Sequence, residues 1–253
     1  MRLLVRVVRY ALLLMAMLVA ALSPALAEPR LALVIANGAY EDGLPQLANP
    51  VPDGKLITAT LEKTGFTVTL VSDVDQQEMT RAIAQFGDAL GKAGPTTTGL
   101  FYYVGGGAQV DGHDYLVPLH TAILQEADFG INTISAETVL NQMAHAGIST
   151  GIVILDANRD NPFGRSIGRR TADAPPGFFI AYSTAPGGFA RQSDGLNSPY
   201  AEALAAEMVK PGQMIEEVFR HVRNRVMEAT SENQLPWESS SLTNAFYFVG
   251  ADG

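Results

Sequence analysis

Residues 30–37 form an apolar run, Leu31-Ala32-Leu33-Val34-Ile35-Ala36, that stops at the turn-forming pair Asn37-Gly38. Unbroken apolarity over one strand length, without polar alternation, predicts a strand buried on both faces. Similar runs recur at 66–72, 99–104, 151–155, 177–183 and 245–249. Between them the apolar positions shift to helical spacing, which predicts helices over 53–64, 75–90, 135–146, 198–209 and 214–230, several opening on Asp or Ser as an N-cap. In the last of these Ile215, Val218, Phe219, Val222 and Val226 share one stripe, which reads as a core-packing face rather than a partner surface.

Strands that alternate with helices imply right-handed crossovers and a mostly parallel sheet covered on both faces, an α/β/α sandwich. In such sheets sites form where loops leave the carboxyl ends of strands. That rule selects the loops 37–52, 105–107 and 156–162. Asp111-Gly112 between apolar flanks predicts a β-hairpin appended to the sheet. The Arg-, Asp-, Gly- and Pro-rich stretch 165–176 reads as an exposed loop, and no internal repeat or low-complexity tract is visible.

The amino terminus changes the picture of where the chain works. Arg2, Arg6 and Arg9 precede an apolar core over 11–21, followed by Ser23-Pro24 and the small-x-small site Ala25-Leu26-Ala27. This is the layout of a cleavable export signal, with cleavage expected after Ala27 and a periplasmic or secreted product. The apolar core is shorter than the roughly 20 residues of a spanning helix, so no membrane association beyond the signal is expected. Residues 28–253 then suit a single domain. The chain carries 17 basic against 26 acidic residues, a formal charge of −9, and loses three arginines with the signal. Such acidity argues against nucleic acid as a partner. Cys is absent, so no disulfide and no thiolate chemistry is open to the chain.

Seven stretches in order carry a resemblance: residues 31–40, Leu47-x-Asn49-Pro50-Val51-x-Asp53, Phe101-Tyr102-Tyr103-Val104-Gly105-Gly106-Gly107, Asp156-Ala157-Asn158-Arg159, residues 181–187, Asn197-Ser198-Pro199-Tyr200 and residues 236–242. Together they resemble the caspase-like peptidase domain of the bacterial metacaspase and orthocaspase group. The resemblance implies a caspase-like three-layer sandwich with a sheet of about six strands. It also implies a His two residues after Val104 and a Cys two residues after Asp156. Gly106 and Asn158 stand there instead. A dyad needs a polarisable nucleophile beside a base, and neither remains, so the expectation is a pseudoprotease and not an enzyme.

By the same resemblance Asp53 and Asp156 line a pocket for an Arg or Lys side chain, which two converging carboxylates could hold by charge-assisted hydrogen bonds. Read without the resemblance, Asp53 is a helix N-cap and Asp156 a loop-ordering acceptor. The backbone donors of Gly107 and Asn158 fall where the family forms its oxyanion hole, and an amide N–H does not depend on its side chain. Peptide or protein segments bearing Arg or Lys are therefore the expected partners, with no cofactor and an oligomeric state left open. A scaffold or regulatory protein with a vestigial cleft, contacting an active homologue or an envelope protein, is a second reading. A hydrolase rewired around Ser183, or using His113 as base, is a third; His120, His145 and His221 stand alone. The Gly105-Gly106-Gly107 run lacks the Lys-Ser/Thr ending of a phosphate loop. No metal site is expected, although Asp156 with Asp160, or Asp111 with Asp114, could offer oxygens to calcium.

Overall fold

The computed structural model describes residues 28–41, 44–164 and 173–251. The export-signal expectation for 1–27, and most of the exposed-loop expectation for 165–176, lie outside the described residues.

A six-stranded sheet organises the chain: β1 (Arg30–Ala36), β2 (Thr67–Ser72), β3 (Thr98–Val104), β7 (Thr150–Asp156), β8 (Phe178–Tyr182) and β9 (Trp237–Ser240). Its order is β2-β1-β3-β7-β8-β9, with only β9 antiparallel to its neighbour. Three further short strands, β4 (Gly107–Val110), β5 (His113–Leu116) and β6 (Ile134–Ser135), make a separate antiparallel sheet. The parallel, covered sheet is the α/β/α sandwich that the hydrophobic pattern predicts.

Residues alternate across the sheet because successive side chains on a strand point to opposite faces. Ala32, Val34, Leu100, Tyr102, Ile152 and Ile154 face one layer, formed by helices α1 (Pro50–Lys63), α4 (Pro199–Met208) and α5 (Ile215–Ala229). Leu33, Ile35, Phe101, Tyr103, Val153 and Leu155 face the other, formed by α2 (Gln76–Ala93) and α3 (Ala136–His145). Helix starts follow local chemistry: Asp75 closes a capping box with Glu78, while Ser135 and Ser198 each accept the backbone N–H of the third residue of their helices, Thr138 and Ala201. The apolar stripe of α5 is buried as expected.

Two elements differ from expectation. Residues 245–249 do not join the main sheet; Phe246 and Phe248 pack edge to face beneath it, and the Arg30 guanidinium, 5.2 Å from the Phe246 ring, binds the carbonyls of Tyr247 and Phe248. The sixth strand is instead Trp-Glu-Ser-Ser, whose polarity hid it. It is an edge strand held by β8 and by an ion pair between Glu238 and Arg223. Helix α1 also begins three residues before Asp53, because Pro50 suits the first helical turn, where its missing N–H costs nothing.

The predicted hairpin forms across Asp111-Gly112, both with positive φ, as a two-residue turn matching strand twist requires. Arg159, in the loop after β7, anchors it. Its Nε and Nη2 donate to the Asp114 carboxylate at 2.8 and 3.1 Å, and its guanidinium lies 3.7 Å from the centre of the Tyr182 ring. Both partners are almost fully buried. Gly107, where β4 starts, permits close approach: a Cβ there would come 2.6 Å from that of Ala157.

Asp114→Ala would leave Arg159 buried without its counter-charge. The expected loss is about 3–5 kcal/mol in urea unfolding, against less than about 1 kcal/mol for an exposed pair such as Arg220–Glu217.

Candidate functional site

Parallel register brings three strand ends level. Ala36 pairs with Val104 and Val104 with Asp156, so the three loops singled out by the strand-end rule leave the sheet side by side. Between them opens a cleft of about 350 Å³ whose floor includes Gly106, Gly107, Asp156 and Asn158. Tyr40, Val117, Ile123, Phe129 and Phe163 form apolar walls.

Gly106 and Asn158 meet in this cleft, and neither offers a nucleophile or a base. Gly106 has no side chain; its N–H donates to the Tyr40 hydroxyl at 2.8 Å, and its carbonyl accepts from the Tyr103 hydroxyl at 2.7 Å. The Asn158 side-chain oxygen accepts the Ala190 N–H at 2.8 Å, so it pins the opposite wall. That wall is fixed again where Arg191 N–H reaches Gln234 and Ser193 N–H reaches Asn49.

No histidine lines the cleft. His113 pairs with Glu137 on the exposed side of the hairpin, His145 bonds the Asn141 carbonyl, and His221 lies near Glu207. His120 borders a shallow groove with Asp75 and Gln76. Ser183 is buried beside Asp156 with no imidazole in contact, and its carbonyl accepts from Gln234. The geometry therefore gives neither Ser183 nor His113 a partner for nucleophilic work. Among the described residues no cluster of three or more His, Cys, Asp and Glu side chains could hold a metal ion. Asp114 spends its carboxylate on Arg159 and Gln109.

Asp53 and Asp156 do come together. Asp156 ends β7 and points to the same face as Ile154, where α1 and α4 begin. Its Oδ2 accepts from the Tyr102 hydroxyl at 3.1 Å and lies 3.5 Å from the Ser198 hydroxyl. Asp53, in the first turn of α1, accepts at Oδ1 from Asn197 Nδ2 at 2.9 Å and from Ser198 N–H at 3.0 Å. Asp53 is thus no N-cap; Asn49 holds that position. Asp53 Oδ2 is buried with no hydrogen-bond partner among the described residues, as is the Tyr200 hydroxyl.

Among the described residues no Lys or Arg pairs with either carboxylate, and the electrostatics follow from that. Burial first, and the neighbouring Asp53 second, push the Asp156 carboxyl up to about 7, with bonds from Tyr102 and Ser198 pulling partly back. Burial likewise raises Asp53, against its bonds to Asn197 and Ser198. Two helix amino termini supply the positive field that makes such a pair tolerable. Asn197, Ser198 and Tyr102 were present in the motifs but were not assigned to the site. The signal was the Asn-Ser-Pro helix start, which places two donors where an acid would need them.

A family model described as "Caspase domain" matches residues 29–247. Two curated proteins also match, "Mucosa-associated lymphoid tissue lymphoma translocation protein 1" of Homo sapiens and its homologue of Mus musculus. Each is 28% identical over 134 residues, covering 53% of this chain and 15% of the relative's own length.

Between the ordinary carboxyl value of 3.8 and about 7, folded Asp156 keeps a proton that the unfolded chain releases, so its contribution to stability falls as pH rises through that window. Asp156→Asn removes the effect. The melting temperature of the variant minus that of the native protein is expected to grow from pH 4 to pH 7 and level off above. A pH-independent difference would contradict the buried-pair electrostatics.

Proposed function

The chain belongs to the caspase-domain family, and on that premise we propose that it is an exported, proteolytically silent member of the metacaspase-like branch that holds peptide or protein segments through an Arg or Lys side chain. One observation carries the reading: a buried carboxylate pair, without a counter-cation among the described residues, adjoins a cleft lined by Gly106 and Asn158. A guanidinium entering that site would supply the missing charge and partner the Asp53 oxygen left unpaired. The substrate main chain would lie along Gly107 and Asn158, whose N–H groups need no particular side chain to receive a carbonyl. Hydrolysis would not follow, because no thiolate exists in the chain and no imidazole lines the cleft.

The complete cover over Asp53 favours a second reading, in which the cleft is a relic and the domain acts as a scaffold for another protein. The two diverge in one titration. Under the first, calorimetry of residues 28–253 with short Arg-containing peptides gives saturable binding, strengthening as pH rises through about 7 because only ionised Asp156 pairs with the cation. Asp156→Ala abolishes it, and an acidic peptide gives no heat. Absence of binding to any basic peptide would leave the scaffold reading. Turnover of a peptide or ester substrate, stopped by Ser183→Ala, would overturn both.

A further inference from the structure

The cleft beside the carboxylate pair is larger and more apolar than a basic side chain needs. Tyr40, Val117, Ile123, Phe129 and Phe163 wall it, and among the described residues its lining includes Asp156 and Asp160 but no Lys or Arg. Its volume, about 350 Å³, lies within the range of small-ligand pockets, which are apolar with a few placed polar groups. The space depends on position 106. A Cβ there would stand 3.1 Å from the Tyr40 ring and 3.3 Å from the Val117 Cβ, so any side chain would start between two of the walls. The glycine at 106 thus keeps this space open.

We propose that the cleft over Gly106 accepts a bulky apolar side chain, aromatic or branched aliphatic, from a segment that carries an Arg or Lys within two residues of it. Asp156 belongs both to the cleft lining and to the carboxylate pair, so the two subsites share a wall. Neighbouring residues of an extended chain, about 3.3 Å apart along the strand, reach both. The two acids in the lining, Asp156 and Asp160, favour a cationic segment over an acidic one. Phe163, 44% exposed at the mouth, has apolar surface left for an incoming ring to cover. The assignment rests on Asp53 and Asp156 forming the basic subsite.

Three capped peptides separate the two parts: one with Phe-Arg-Phe at its centre, one with Ser-Arg-Ser, and one with Phe-citrulline-Phe, which keeps the shape of Arg without its charge. Calorimetry on residues 28–253 is expected to show the first binding about tenfold or more tighter than the second, with a more negative heat-capacity change from buried apolar area. Phe163→Ala, at a half-exposed position, should cut that preference at least about fivefold, and Gly106→Val should remove it. Circular dichroism establishes that each variant is folded. Equal affinity for the first two peptides overturns the apolar subsite and leaves the basic one standing. Tight binding of the citrulline peptide supports the apolar subsite and overturns the basic one. No binding by any of the three overturns both.

Discussion

Ala36, Val104 and Asp156 stand level at the ends of three parallel strands, and the site depends on that register. A shift by one residue would turn Asp156 to the opposite face, away from the amino termini of α1 and α4. The same register lets β3 pass through Gly105-Gly106 into the hairpin, where Gly107 touches down against Ala157. The buried Arg159–Asp114 pair then joins the hairpin to the loop after β7, and both contribute to the cleft lining. Its shape is a consequence of sheet geometry and one buried ion pair.

Within that frame the proposed role is recognition and not reaction. Asn158 uses its side chain to tie the Ala190 wall, and Gly106 gives both its backbone groups to tyrosine hydroxyls. What persists is costly: two carboxylates in a water-poor space, one unpaired oxygen, and a proton on Asp156 up to about pH 7. A fold has no stability reason to keep such a pair. A cation that arrives with a ligand would offset that cost, which is the physical argument for a recognition site.

Much of the architecture was legible because its signals are local. Buried parallel strands read as continuous apolar runs, and five helices announced themselves by periodicity and by Asp or Ser at their starts. Trp237–Ser240 escaped because an edge strand needs little apolar surface, and residues 245–249 misled because alternating aromatics beneath a sheet look like a strand within it. At the site, Asp53, Asp156, Gly106 and Asn158 were identifiable from their order along the chain. The donors that hold the acids were not, because Asn197 and Ser198 lie some 144 residues from Asp53 and only the folded crossover brings them near. The apolar pocket over Gly106 was equally hidden, since Tyr40, Val117 and Phe163 come from three separate loops.

The most direct test is a crystal structure of residues 28–253 with a bound Arg-containing peptide. The account predicts the guanidinium seated between Asp53 and Asp156, with the peptide uncleaved across Gly106 and Asn158. A peptide bound elsewhere, or one cleaved in the cleft, would contradict it.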